Sequence, residues 1–465
     1  MTGSLPRRGL LRAGAVGFGI AVGGSLDAIA GPPAARAAAR PRAGYGPLVA
    51  DPAGLLALPT GFRYRIVAQA GRTRLASGQV TPSDADGTGC FPAGHGWTLV
   101  NNHEIDGTED HWVPALPGLT YDPGAAGGTT TIEVDRRGRR LREYVSLAGT
   151  HNNCAGGVTP WQTWLSCEES EARAGRGFQK DHGYVFEVDP HDEDANRDPV
   201  PLEFLGRYAH EAVAVDPDTF TFYLTEDAAA PQGLYYRWTP PKRFAGGKGA
   251  LRELARGPHG ATAGTLAAMR CTDPDGGHVT DLAQAREPGT RYAVTWVEVP
   301  ERDGRRVPVR TQFGSGEITR SRKLEGQWWG DGGVYFVASY ARRADGSARD
   351  HDGQVWFYDP AECTITLRTI FGVNPDPAAE DAVDGPDNIT LSPHGGLMMA
   401  ENGVGLSHVV GLTADGVAYP LARNERDVGE FTGPVFSADG EVLFANIQDP
   451  GYVFAITGPW GRPAP

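Results

Sequence analysis

Residues 152–170 read NNCAGGVTPWQTWLSCEES. A thiol, Cys154, and two carboxylates, Glu168 and Glu169, stand at opposite ends of a segment whose middle reads as strand, Pro-containing turn, strand. Folding it as a hairpin brings those ends together. Sulfur beside carboxylate is metal-ligand chemistry, because a thiolate suits a transition metal and carboxylates suit hard cations such as Ca²⁺. Further carboxylates recur in similar company: Glu211 in HEAVAVDP, Glu325 in KLEGQWW, Asp387 in PDNITLS and Glu401 in MMAEN.

These residues sit in a repeating unit, clearest in EFTGPVFSADGEVLFANIQDPGYVFAIT near the C-terminus. An acidic or polar residue opens a strand, a turn follows, a second strand ends in a polar cluster, and a third strand of the form G-x-V-F closes the unit. Six such copies can be read, with Asp-Gly, Gly-Gly or Pro-Asp at hairpin turns. The expected fold is all-β, a six-bladed β-propeller with loop insertions, the longest at about residues 241–321 and holding a helix-like run, TLAAMRCTD. In a propeller the first strand of each blade lines the channel, and its start meets the end of the second strand at one rim. Asp86, Cys154, Glu211, Glu325, Asp387 and Glu430 open first strands. Glu104, Glu168-Glu169, Glu226-Asp227, Glu401 and Gln448 close second strands, and the fourth unit carries Ser339-Tyr340 instead. So many carboxylates in one funnel require protonation or bound cations.

The bulk properties agree. With 64 Gly, 36 Pro and 10 Trp in 465 residues, short strands and tight turns are favoured over helical bundles. A formal charge of −14 argues against nucleic acid or an anionic membrane as partner. Arg7-Arg8, a Gly/Ala-rich apolar stretch and Ala35-Arg36-Ala37 read as a twin-arginine (Tat) export signal over residues 1–37, leaving 38–465 as one secreted propeller domain, expected to be a monomer. Five cysteines leave at least one thiol unpaired in an oxidising compartment, and Cys154 is the candidate. HDEDANRDPVPLE, residues 191–203, has the carboxylate spacing of a Ca²⁺ loop, but Arg197 replaces the glycine such a loop needs, so it reads as a solvated acidic loop.

The segments NCAGGVTPWQTWLSCEE, GRYAHEAVAVDP with YLTED, KLEGQWW, DGPDNITLSPHGGL and EFTGPVFSADGEVLFANIQDPG together resemble the PhoX-type alkaline phosphatases, in matching order over nearly the whole chain after residue 37. The resemblance implies a Tat-exported, six-bladed propeller that hydrolyses phosphate monoesters with a cluster of ferric iron (Fe³⁺) and calcium (Ca²⁺). It implies Cys154 as an iron ligand, Glu211 and one glutamate of Glu168-Glu169 beside it, and Glu325, Asp387 and Glu401 on the calcium side. Lys323 or Arg322 would hold phosphate. Gln162 stands where the family has glycine, and Glu401-Asn402 where it has Glu-Asp. Two other functions compete: a calcium-dependent propeller lactonase, which needs no thiolate, and a non-catalytic propeller held together by calcium.

Overall fold

The six repeats become antiparallel meanders of short strands joined by tight turns, and their first two strands are buried at nearly every position because packing covers both faces. The computed structural model describes residues 43–339, 353–372, 374, 376, 383–403 and 405–461. The export signal read at 1–37 and Tyr340 lie outside them. Ala85–Ala93, Gly96–His103, Gly127–Asp135 and Arg140–Thr150 form a four-stranded sheet, and Asn153–Val158, Trp164–Glu168 and Val185–Val188 a three-stranded one. Pro386–Leu391, Leu397–Glu401, His408–Leu412 and Ala418–Asn424 form a fifth meander, extended by Leu56–Pro59 and Leu48–Ala50. The last meander, Phe431–Phe436, Leu443–Ile447 and Tyr452–Thr457, takes its fourth strand, Arg63–Gln69, from the other end of the chain.

The third and fourth meanders are not separate sheets. His210–Val215, Phe222–Glu226, Tyr235–Thr239 and Thr265–Thr272 run into Leu324–Gly330, Gly333–Ala338, Gln354–Asp359 and Thr364–Ile370 through one added strand. That strand, Arg291–Glu298, comes from the insertion and pairs with the outer strand of both meanders. Six expected blades therefore appear as five hydrogen-bonded sheets in an all-β, propeller-like fold. The insertion also corrects a second expectation. TLAAMRCTD is not helical; Thr265–Thr272 is a strand paired on both edges, so sheet pairing overrides the helix propensity of Leu, Ala and Met. Among the described residues the α-helix is Ala250–Arg256.

First strands of successive meanders lie side by side, and Phe431–Phe436 returns beside Ala85–Ala93. Buried amides stitch these neighbours together. Asn102 Nδ2 donates to the carbonyls of Cys154 (2.9 Å) and Ala155 (2.6 Å), while its Oδ1 accepts from Trp164 Nε1 (2.9 Å). Gln327 Nε2 donates to Ala212 O (2.7 Å) and Tyr223 O (3.0 Å). Asn446 Nδ2 donates to Asp86 O (2.6 Å), and Asn388 Oδ1 accepts from Gly433 N (2.6 Å). Gly87 lets two first strands approach closely; a Cβ there would stand 2.7 Å from Ala155 Cα.

Replacing Asn102 by Leu keeps its shape but strands two carbonyls and an indole N–H in the core. Asn102→Leu is expected to destabilise the fold by about 3 kcal/mol. Urea unfolding checks this, and a change under about 0.5 kcal/mol would contradict the stitching role.

Candidate metal centre

All six first strands carry the same irregularity. Each gains one extra residue over its partner, at the second and third positions in five strands and at the third and fourth in the last, between Ala85 and Thr88, Asn153 and Gly156, His210 and Val213, Leu324 and Gln327, Pro386 and Ile389, and Thr432 and Val435. A bulge of this kind re-aims a side chain out of the regular alternation. The first residues of these bulges are Asp86, Cys154, Glu211, Glu325, Asp387 and Gly433. Five of the six are metal-ligand types.

A second repeat lies one step further out. Glu104 N donates to Asp84 O (2.9 Å), Glu169 N to Asn152 O (2.9 Å), Ser339 N to Lys323 O (2.8 Å) and Asn402 N to Gly385 O (3.0 Å). In the last meander the pairing runs one residue longer, and Gln448 N donates to Glu430 O (3.1 Å). The acceptors Asp84, Asn152, Lys323 and Gly385 all have positive φ, between 39° and 54°. Asp, Asn and Gly tolerate this conformation, whereas a lysine there is strained, and strain is retained where side-chain placement matters. Lys323 turns its Nζ onto Glu325 Oε1 and to 3.7 Å from Asp387 Oδ2.

Together the two repeats gather the acids into three linked groups: Asp86–Glu104–Cys154, Cys154–Glu169–Glu211 and Glu211–Glu325–Asp387. Within each group one potential ligand atom per residue lies within 4.8 Å of the others. Cys154 and Glu211 are shared vertices. Cys154 Sγ donates to Glu211 Oε1 (3.3 Å) and faces Asp86 Oδ2 (3.7 Å). Gln448 Nε2 donates to Asp86 Oδ2 (2.8 Å) and Glu104 Oε2 (2.5 Å), and Asn152 Nδ2 to Glu104 Oε1 (3.0 Å) and Glu169 Oε2 (3.4 Å).

In the metal-free chain, burial raises the carboxyl pKa of Asp86, Glu211 and Glu325 well above the usual range. The neighbouring carboxylates raise them further: Glu104 and Asp387 act on Asp86, Glu325 and Glu169 on Glu211, and Asp387 on Glu325, where Lys323 partly offsets the effect. Burial and then Asp86 raise the Cys154 thiol in the same way. Asp86 Oδ1 and Glu211 Oε2 are buried without a hydrogen-bond partner. Orphaned acceptors, crowded carboxyls and one thiol are a donor set that cations fit: oxygen for calcium, sulfur with oxygen for iron.

Of the residues expected at the site, Cys154, Glu169, Glu211, Glu325, Asp387 and Lys323 come together. Glu168 and Glu401 do not join them. Glu168 pairs across from Asn153 on the strand itself, so alternation turns it away from the mouth. Its oxygens accept from His151 N (2.9 Å), Gly183 N (2.7 Å), Tyr184 N (3.0 Å) and His182 Nδ1 (2.7 Å). Glu401 holds the equivalent position opposite Pro386, and its oxygens bond to Asp384 N and His408 Nδ1, both at 2.6 Å. Glu226, opposite His210, does the same with Arg310 Nη1 (3.1 Å) and Tyr236 OH (2.7 Å). Three meanders thus bury a glutamate behind the mouth, where each anchors loop backbone or a cation. Asp86 and Glu104 join the centre although sequence assigns them no ligand role; their place at the rim was the available signal.

The histidines behave as structural groups. His103 bonds to Ser83 O and Thr130 Oγ1, and burial lowers its pKa to about 4; His210 bonds to Gly206 O, and burial lowers its pKa to about 3. All five cysteines are unpaired, so Cys154 and Cys167 form no disulfide. In the 191–203 loop, Asp192 accepts from Asp194 N and Ala195 N, and Asp194 pairs with Arg197, as a self-contained acidic loop would. Gln162, where the family has glycine, adopts φ 65° in its turn.

An all-β propeller-like protein with an acidic, thiol-bearing mouth is the class that fold and site define. A family model described as Alkaline phosphatase PhoX matches residues 43–451, and the chain belongs to that family of alkaline phosphatases. Among solved structures, Pseudomonas fluorescens PhoX in complex with vanadate, a transition state analogue, matches with a TM-score of 0.64 and 17% identity, covering 90% of this chain and 98% of that one. A gluconolactonase from Xanthomonas campestris matches at TM-score 0.37 and 14% identity, over 90% of this chain and 99% of its own. A pyranose dehydrogenase PQQ domain from Coprinopsis cinerea matches at 0.43 and 13%, over 86% and 97%. No curated protein sequence matches the chain.

Two predictions follow from this geometry. Groups whose acid pKa rises on folding bind more protons folded than unfolded, so metal-free protein should lose stability as pH rises above the ordinary carboxylate range. Its melting temperature is expected to fall between pH 5 and pH 8, and cation loading at pH 8 to restore it while releasing protons; calorimetry in buffers of different ionisation enthalpy measures both. Glu169→Gln should weaken metal binding with little change in urea stability. Glu168→Gln should instead destabilise the fold by about 2–3 kcal/mol, because it unbalances a buried, charge-assisted network.

Proposed function

We propose that this chain is an exported phosphomonoesterase whose channel mouth holds iron and calcium. The single observation that carries the reading is the chain of three ligand groups joined at Cys154 and Glu211. Cys154, Asp86, Glu104, Glu169 and Glu211 would hold iron and its neighbour, and Glu211, Glu325 and Asp387 the calcium side. The thiol separates this reading from a calcium-dependent lactonase or a calcium-stapled binding propeller, which need oxygen donors alone. We read the ten-stranded sheet as two blades welded by Arg291–Glu298, which makes the ring six-bladed. Residues 1–37 would serve export through the Tat route, which suits a protein that acquires its cofactor before crossing.

When bound, the cations supply Lewis-acid charge that neutralises phosphoryl oxygens and polarises phosphorus. The protein's own groups do the rest. Cys154 and the protonated carboxyls give up their protons on loading and become anionic donors. Gln448 and Asn152 fix the carboxylate rotamers that face one another. Lys323, whose left-handed backbone turns Nζ toward Glu325, would present a cation that pairs with a phosphate oxygen. Further down the channel, beside Gly87, Ala155, Gly326, Asn388 and Gly433, a void of about 20 Å³ remains. That is room for about one water, so substrate enters from the acidic mouth.

Cys154→Ala is expected to lose iron and phosphatase activity together, by about 100-fold or more in kcat with p-nitrophenyl phosphate. Elemental analysis of the same preparations decides the matter. Activity that survives complete loss of iron, or calcium alone with lactone turnover in the wild type, would refute the reading.

A further inference from the structure

We propose that Ser339 is a further substrate-binding residue, one that donates its hydroxyl to a phosphoryl oxygen beside Lys323. The proposal rests on the phosphatase reading and goes beyond it. Ser339 belongs to the outer ring of equivalent positions, because its N–H makes to Lys323 O (2.8 Å) the bond that Glu104, Glu169 and Asn402 make to Asp84, Asn152 and Gly385. Two of those equivalents, Glu104 and Glu169, turn their side chains into the ligand groups. Ser339 puts a neutral hydroxyl where they put a carboxylate.

That hydroxyl is fully buried and has no hydrogen-bond partner. A buried hydroxyl without a partner is uncommon in a folded protein and calls for an explanation. A ligand oxygen supplies it. Two cations belong to this sector: Lys323 is hydrogen-bonded through its carbonyl to Ser339 N, and Arg322, which pairs with Asp281 through Nη2 (3.1 Å), leaves Nε and Nη1 buried and unpartnered. A phosphate arriving elsewhere on the rim would meet Glu104, Glu169 or Asp86 before any cation. At the fourth meander it meets donors. Ser339 acts by hydrogen bonding and takes no part in bond making, so the phosphoryl group is never transferred to it.

The test uses full-length protein loaded with iron and calcium. Ser339→Ala, Ser339→Thr and Ser339→Glu are compared with wild type for metal content, kcat and KM on p-nitrophenyl phosphate, and calorimetric binding of inorganic phosphate. Ser339→Ala is expected to keep its metals and roughly its kcat, while KM and the phosphate dissociation constant rise about tenfold, the worth of one hydrogen bond to a charged group. Ser339→Thr should stay within about threefold of wild type, because the hydroxyl remains. Ser339→Glu should lose phosphate binding altogether through like-charge repulsion. Unchanged phosphate affinity in the Ala variant overturns the proposal. So does loss of metals in that variant, which would make Ser339 a structural group, and so does lost kcat with unchanged phosphate binding, which would make it a nucleophile. If wild type binds phosphate but hydrolyses no ester, the phosphatase reading fails while the phosphate arm still tests Ser339.

Discussion

Carboxyl groups held a few ångströms apart out of water repel one another, and everything around the channel mouth answers to that constraint. Asp86, Glu211 and Glu325 cannot ionise side by side at the ordinary carboxylate pKa; each must keep its proton or find a cation. An open or flexible ring would relieve the strain by spreading apart. This one is prevented from spreading. Amides at Asn102, Gln327, Asn388 and Asn446 tie neighbouring strands across their boundaries, and the N-terminal strand Arg63–Gln69 completes the last sheet. The ring therefore holds acids whose ionisation is costly until a cation joins them, so cation binding and folding would be linked.

The bulge repeated in all six first strands is the local device that makes the crowding possible. A regular strand would send its second and fourth residues to one side and would bury every other side chain between sheets. One extra residue breaks that alternation at the same height in every meander and turns a single side chain toward the axis. The sixth meander has Gly433 there, at φ 55°, and a Cβ on it would stand 2.3 Å from Asp86 O. No donor can be built at that position without displacing the strand that carries Asp86. Five side chains and one glycine are thus what the geometry of closure allows.

Much of this was legible in the chain because the repeat and the ligand types coincide. Cys154, Glu211, Glu325 and Asp387 could be singled out since each opens a unit, and an all-β propeller-like fold followed from the same repeats. The adjacent pair Glu168-Glu169 was not resolvable in that way. Two neighbouring glutamates differ only in register, and register depends on the pairing partner, Asn153, and on the bulge beyond it. Register separates Glu401 from its neighbour in the same way: Asn402 holds the outer-ring position, while Glu401 bonds inward to His408. The weld between the third and fourth meanders was hidden because Arg291–Glu298 lies in an insertion outside the repeat, and the helical look of TLAAMRCTD concealed the strand it pairs with.

A site that concentrates negative charge and yet serves an anionic substrate must separate the two functions in space. The rim does so by sector. Asp86, Glu104, Cys154, Glu169 and Glu211 crowd together on the first three meanders, Gly433 leaves the bulge of the sixth first strand without a side chain, and the fourth sets Lys323 beside Glu325. The left-handed backbone at Lys323 is the tell-tale, because three equivalent positions use Asp, Asn and Gly, residues that adopt φ near 50° at small cost, and a lysine gains nothing locally from being there. Its value is directional. From that backbone Nζ reaches Glu325 and comes within 3.7 Å of Asp387, so one positive charge tempers both carboxylates and gives this side of the acidic rim a cation that an anion can approach.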